Sequence, residues 1–227
     1  MNGEPATRPP PAAGAAPDCP VCRAAPVHFL DRVAQRDYWR CPVCAATFLD
    51  PAQLPDAATE LAHYRLHRND PRDPGYRGFL ARLAEPLRAR LAPGARGLDY
   101  GCGPGPALAA MLREAGHPMA VYDPFFAPDG AVLEVRYDFI TCTEAIEHFH
   151  RPAREFGRLD RLLRPGGWLG LMTEFQDGDQ GFARWHYRRD PTHVVFYREE
   201  TLRYLAARAG WHCEIPRPNV ALLRKPG

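Results

Sequence analysis

At 227 residues the chain has room for one hydrophobic core and a small appendage. Its 29 Lys and Arg against 27 Asp and Glu leave a net charge of +2, so no global charge argues for nucleic acid or membrane as a partner. No apolar run is long enough to span a bilayer, the N-terminus lacks a signal-peptide core, and seven cysteines, an odd number, suit a reducing compartment better than a disulfide framework; the expectation is a soluble, cytoplasmic protein.

Residues 1–18 are mostly Pro, Ala and Gly, with almost nothing to bury, and read as a disordered tail. Residues 19–50 form a compact cysteine-bearing unit. Cys19-Pro20-Val21-Cys22 and Cys41-Pro42-Val43-Cys44 are near-identical turns separated by 18 residues, a spacing that fits a four-cysteine zinc site. Each turn offers two thiolates, and two turns close a tetrahedron. A redox dithiol would need a thioredoxin-like strand and helix, and none is near. Four protein sulfurs leave no open position, so the zinc is expected to be structural, and its binding supplies most of the unit's folding free energy, on the order of 10 kcal/mol. Cys102, Cys142 and Cys213 stand alone and read as buried small residues.

Residues 51–93 read as a helical lid or linker. One helix starts near Asp56 as its cap and carries Leu61, Ala62 and Leu66; Asn69 to Gly75 breaks it. A second carries Phe79, Leu80, Leu83, Leu87 and Leu91, with Pro86 as a kink or restart. Tyr64, His67, Arg68, Asn69, Arg72, Tyr76 and Arg77 form a polar and aromatic cluster here. It reads equally as a cover for a ligand and as a solvated helix face.

Residues 94–227 alternate strand and helix. Strands are expected at Gly97–Tyr100, Met119–Asp123, Phe139–Thr143 and Trp168–Thr173, with helices after Pro106, at Pro152–Leu163 and at Glu199–Ala209. Trp211–Ile215 and Val220–Leu223 close the chain as a strand pair. The pattern argues for an α/β fold, a Rossmann-like doubly wound sheet that is mostly parallel and covered on both faces.

The segment Gly97-Leu98-Asp99-Tyr100-Gly101-Cys102-Gly103-Pro104-Gly105 reads as a strand, a glycine turn and a helix start, a place where backbone can approach a nucleotide-type ligand. A dinucleotide fingerprint fails, because its third glycine falls on Pro106, and a phosphate loop would need G-K-[ST]. Two acids remain. Asp123, ending the next strand, suits a pair of ribose hydroxyls, and Asp99 suits an ammonium group. A cofactor with a ribose and an amino acid but no pyrophosphate is S-adenosylmethionine.

With that loop, Val121-Tyr122-Asp123, the run Tyr137 to His148 and Leu163-Arg164-Pro165-Gly166-Gly167-Trp168 in this order, the region Gly97 to Leu223 resembles a class I S-adenosylmethionine-dependent methyltransferase. The resemblance implies that Gly101, Gly103 and Gly105, with Tyr100, pass under the methionine end of the cofactor and that Asp99 sits near its amino group. It implies that Asp123 accepts from the ribose, with Pro124 and Phe125 beside the adenine. Thr143 and Glu144 line the side that bears the methyl group. For Phe125, ordinary core packing is nearly as good a reading. Only 14 residues separate Asp123 from Asp138, where the family fits a helix and a third strand, so that edge of the sheet is expected to be abbreviated. Asp129 is a stand-in for the missing acid near the adenine.

Methyl transfer needs a base only when the nucleophile keeps a proton. His148, after the fourth strand, and His193, in the long insertion after the fifth, are the candidates, with Glu174 as an orienting group and His150 and His186 behind them. The acceptor is expected to be a small molecule or a saccharide. An RNA acceptor is a second reading, since ribosomal RNA methyltransferases with an N-terminal zinc ribbon resemble this layout; the small net charge and the lack of a Lys/Arg run in the cysteine unit disfavour it. A third is a non-enzymatic partner-binding protein on a methyltransferase scaffold.

Overall fold

The structure, a computed structural model, describes residues 16–66 and 69–227; most of the expected N-terminal tail, and His67 and Arg68 of the polar cluster, lie outside these residues. Ten strands and five α-helices follow one another among the described residues. The cysteine unit supplies β1 (His28–Val33), β2 (Arg36–Arg40) and β3 (Thr47–Leu49). Two helices come next, α1 (Ala57–Tyr64) and α2 (Pro74–Arg88). The remainder is β4 (Gly97–Tyr100), α3 (Ala107–Glu114), β5 (Met119–Tyr122), β6 (Tyr137–Thr143), α4 (Pro152–Leu162), β7 (Leu163–Met172), β8 (Val195–Phe196), α5 (Glu199–Arg208), β9 (His212–Arg217) and β10 (Val220–Arg224).

The main sheet has the order β5-β4-β6-β7-β10-β9. Its first four strands are parallel, and β10 runs antiparallel to both β7 and β9. Where a third crossover strand was expected to be cut short, the chain between β5 and β6 holds only a 3-10 turn at Gly130–Glu134. Asp129 caps that turn through the Ala131 amide at 2.9 Å.

Alternation along the strands divides the core. Phe139, Met172 and Leu222 face α2 and α3, where Leu80, Leu83, Leu87, Leu108 and Leu112 pack on them. Ile140, Leu171 and Leu223 face the other layer, with Leu159, Leu162 and Leu202. Each fully buried leucine of this kind contributes about 1.5–3 kcal/mol. The side chains of Asp56 and Asp73 accept from the Thr59 and Tyr76 amides and so start α1 and α2. Helix α1 stops at Tyr64, leaving Leu66 outside it and 72% exposed. Helix α2 runs through Pro86, close enough to its end that the lost amide costs a bond where the helix is about to stop.

The strand expected from Trp168 begins at Leu163, because Leu163 pairs with Tyr137. Its Pro165–Gly167 stretch is tied to the C-terminus by Gly166 N–H to Pro226 and Lys225 N–H to Gly167. Of the three lone cysteines only Cys142 is buried; Cys102 and Cys213 are partly exposed.

A second, four-stranded sheet has the order β1-β2-β3-β8. Strand β8 comes from the far end of the chain and pairs Phe196 with Thr47 and Val195 with Phe48. The cysteine unit is thereby sewn into the main body, and one apolar cluster runs from Tyr38 and Phe48 through Phe196 and Tyr197 to Ile146 and Leu159.

Candidate active site and metal centre

The carboxyl ends of β4, β5 and β6 open into a cavity of about 750 Å³, within the size range of small-molecule sites and placed where open parallel sheets bind ligands. Gly101, Gly103 and Pro104 form its floor. Tyr122, Asp123, Pro124 and Phe125 form one wall, and Thr143, Glu144, His148 and His193 another. Tyr64, Asn69 and Tyr76, from the polar cluster before the glycine loop, line it from above.

Two glycines are required by the geometry. Gly101 has φ +78°, and a Cβ there would stand 2.6 Å from the Ala145 Cβ. Gly105 lies under Asn69, whose carbonyl oxygen would overlap any added Cβ. The turn is tied to β5 by Asp123. Its Oδ1 accepts from the amides of Phe125 (2.8 Å) and Phe126 (3.0 Å), and its Oδ2 from Gly103 (3.0 Å). Oδ1 is thus saturated, and one lone pair of Oδ2 is left for a ligand hydroxyl. Tyr100 also lines the cavity, with its hydroxyl accepting from Arg158 at 2.9 Å.

Asp99 and Gly105 do not line the cavity among the described residues. Asp99 sits behind the turn, 4% exposed, and accepts from the Thr141 hydroxyl at 2.8 Å. Burial pushes its carboxyl up to about 6 despite that bond. Since the folded value lies above the ordinary 3.8, Asp99 favours the fold when protonated, and this support is lost as pH rises from about 4 through 6, a change of about 3 kcal/mol. Asp99→Asn is therefore expected to be more stable than the parent above pH 6, with the difference vanishing near pH 4. Thermal melts of both proteins across that range check it, and a pH-independent difference would refute it.

At the other end, His148 and His193 stand with ring centroids 4.7 Å apart. The His148 Nδ1 is 3.0 Å from the Thr192 carbonyl, and the His193 Nδ1 is 2.7 Å from that of Tyr187. A carbonyl only accepts, so both rings carry a proton on Nδ1, and in the neutral tautomer the lone pair is on Nε2. Burial holds His193 below the usual imidazole range, so its ring is neutral at neutral pH. Glu144 has φ +47° and accepts from the Tyr187 hydroxyl at 3.1 Å. Burial first, then the neighbouring Glu147, push its carboxyl up to about 9. The Thr143 hydroxyl is buried without a hydrogen-bond partner.

Glu174 is engaged by the Trp185 indole (3.1 Å) and His186 (3.1 Å), and His186 is exposed, so the pair is bonded to each other and to Trp185. His150 pairs with Glu60 at 2.9 Å on the cavity rim. Sequence reasoning did not single out Glu147, and took Tyr187 and Asp190 only as part of the insertion that carries His193. The available signal for Glu147 was a second acid three residues after Glu144 and directly before His148.

In the cysteine unit the two turns repeat each other bond for bond. Arg23 N–H donates to Cys19 and Cys19 N–H to Ala24; Ala45 N–H donates to Cys41 and Cys41 N–H to Ala46. The four thiols are buried. Cys19 and Cys44 sulfurs are 3.7 Å apart, Cys22 and Cys41 sulfurs 3.5 Å, and all four lie within 4.8 Å of one another. A tetrahedron with zinc–sulfur bonds of about 2.3 Å has edges of about 3.8 Å. The cluster therefore fits zinc.

A family model described as "Methyltransferase domain" matches residues 71–214. Among solved structures, 1,6-didemethyltoxoflavin-N1-methyltransferase of Burkholderia thailandensis, with bound 1,6-didemethyltoxoflavin and S-adenosylhomocysteine, is 19% identical with a TM-score of 0.51 over 89% of this chain and 100% of that one. Magnesium protoporphyrin IX methyltransferase of Synechocystis PCC 6803, with bound SAH, is 15% identical with a TM-score of 0.52 over 74% of this chain and 94% of that one. At such identity the likeness is one of fold. A ubiquinone biosynthesis O-methyltransferase of Leptothrix cholodnii is 45% identical over 38 residues, which is 17% of this chain and 16% of that protein.

Proposed function

The chain belongs to the methyltransferase-domain family, and on that premise we propose that it transfers the methyl group of S-adenosylmethionine to an oxygen of a small-molecule acceptor. The observation that carries this reading is a single cavity lined by the glycine turn and Asp123 and by the imidazoles of His148 and His193, each anchored through Nδ1 to a backbone carbonyl. The cofactor, when bound, supplies an activated methyl group. The chain supplies the placement, which is where most of the acceleration of such a displacement arises. Gly101 and Gly103 let backbone approach the methionine end, and the remaining lone pair of Asp123 takes a ribose hydroxyl. Asp99 and Asp123 give this end the negative charge that suits a sulfonium and an ammonium. Thr143 and Glu144 line the methyl-bearing side. The Nε2 atoms of His148 and His193 are the groups available to hold or deprotonate the acceptor. The apolar walls from Phe125, Tyr64 and Tyr76 exclude water from the path between them.

Cys19, Cys22, Cys41 and Cys44 would hold a structural zinc ion, closed to any further ligand. No helix among the described residues is long and apolar enough to cross a membrane.

The test is calorimetry with S-adenosylhomocysteine, followed by an acceptor screen read as the gain of one methyl by mass. Asp123→Asn places an amide against three backbone N–H groups and is expected to weaken S-adenosylhomocysteine binding by roughly 10- to 100-fold, as for loss of charge-assisted hydrogen bonds. Unchanged affinity would remove Asp123 from the cofactor site, and no binding by the parent protein would overturn the reading as a whole.

A further inference from the structure

Glu147 is a fully buried carboxyl group, 0% exposed, and neither of its side-chain oxygens has a partner at full hydrogen-bond geometry; the Tyr187 hydroxyl stands near it but donates to Glu144 at 3.1 Å. Such a group is among the costliest to leave unpaired in a protein interior. Its place in the chain is held firmly, since the Glu147 carbonyl accepts from the Val194 amide at 2.9 Å. Among the described residues the ion pairs that involve it are confined to His148, whose Nε2 lies 3.8 Å from Oε1. One donor atom from each of Glu147, His148 and His193 lies within 4.8 Å of the others. Both imidazoles donate Nδ1–H to a backbone carbonyl, Thr192 and Tyr187, which is how histidines that bind metals through Nε2 are held and oriented. Glu144 lines the adjoining cavity as a second carboxyl group.

We propose that Glu147, His148 and His193 bind a divalent cation at the acceptor end of the cavity, and that the acceptor completes its coordination through an oxygen. Two imidazoles and one carboxylate suit zinc, manganese or iron(II) better than magnesium or calcium. Ligand atoms around such an ion stand about 3 to 3.4 Å apart, so the three groups draw together by small side-chain rotations when it enters. Three protein ligands leave positions open, unlike the closed four-cysteine centre. The ion site stands on its own geometry; its role toward the acceptor rests on the methyltransferase reading above. There, with the Nε2 lone pairs of His148 and His193 taken up by the ion rather than acting as bases, an acceptor hydroxyl bound to the ion would lose its proton to water at lower pH than in solution. The oxygen lone pair then forms the bond to the methyl carbon as the carbon–sulfur bond breaks and its electron pair passes to sulfur.

The experiment uses the full-length, zinc-loaded protein. Titration with Mn²⁺, followed by the electron paramagnetic resonance signal of the free ion, is expected to show one site per chain, since thiolate centres hold Mn²⁺ poorly. Glu147→Gln and His193→Gln are each expected to weaken that site at least 30-fold, with one zinc per chain retained. Absence of Mn²⁺ binding by the parent at millimolar ion, or equal binding by the folded variants, overturns the proposal. Should the variants fail to fold, Co²⁺ added to the zinc-loaded parent decides. Weak visible bands without thiolate charge transfer support a nitrogen and oxygen site, and their absence overturns it. Calorimetry with S-adenosylhomocysteine on the same parent protein separates the two readings. Cofactor binding without Mn²⁺ binding sinks the ion site alone, whereas Mn²⁺ binding without cofactor binding sinks the methyltransferase reading alone.

Discussion

Gly101→Ala is expected to weaken cofactor binding sharply while leaving the rest of the fold in place. Residue 101 adopts φ +78°, where a side chain costs about 1–2 kcal/mol. The new methyl group would also stand 2.6 Å from the Ala145 Cβ, an overlap that moves backbone and costs about 1–3 kcal/mol more. The turn and the strand end at Asp123 share the Gly103 hydrogen bond, so a shift of one displaces the other. The combined effect, about 2–5 kcal/mol, is a loss of roughly 30-fold or more in S-adenosylhomocysteine affinity. Gly116→Ala is the control. It carries the same kind of strain, at φ +88°, but nothing lies within 4 Å of its added carbon and it does not line the cavity. That variant is expected to lose about 1–2 kcal/mol of stability and to bind the cofactor as the parent does. Equal affinities in all three proteins would show that the turn is not the binding element.

Loss of the zinc proposed for the cysteine unit is the second large effect. The double variant Cys22→Ser with Cys41→Ser, or prolonged chelation, is expected to lose zinc and to unfold β1 to β3, since metal binding in such units supplies on the order of 10 kcal/mol. The consequence reaches the active site. Strand β8 pairs with β3, and the Leu49 amide donates to Val194 at 2.8 Å, the residue after His193. Without β3, the segment that carries His193 loses one side of its support. Methyl transfer is therefore expected to fall further than S-adenosylhomocysteine affinity, because the glycine turn and Asp123 belong to the other sheet. Metal content, melting temperature and both activities measured on the same preparation check this. A zinc-free protein with the parent's turnover would dismiss the coupling.

Much of this was legible in the sequence because it is local. The cysteine turns, the glycine run and the Asp56 cap each depend on residues within a few positions of one another, and local geometry follows from local chemistry. Other features were hidden because they depend on contacts far apart in the chain. The pairing of Thr47 with Phe196 cannot be read from either strand, and β8 is only two residues long. Asp99 looked like a ligand contact because it precedes the glycines, but strand alternation turns it toward Thr141 on β6 and behind the turn. Leu66 matched the helical spacing, yet α1 ends before it and leaves it in solvent.

What the sequence determined alone is the set of parts: two chelating turns, a strand–turn–helix that no bulky residue could form, and an α/β order with one edge cut short. Tertiary structure decided which parts share a wall. It brought His193 beside His148 and buried the Glu147 carboxyl group next to both. It also tied the cysteine unit to that same corner through β8. The physical reason is that a period or a spacing reports which face of an element is apolar, whereas the charge, burial and unsatisfied bonds of a site arise only when separate faces meet.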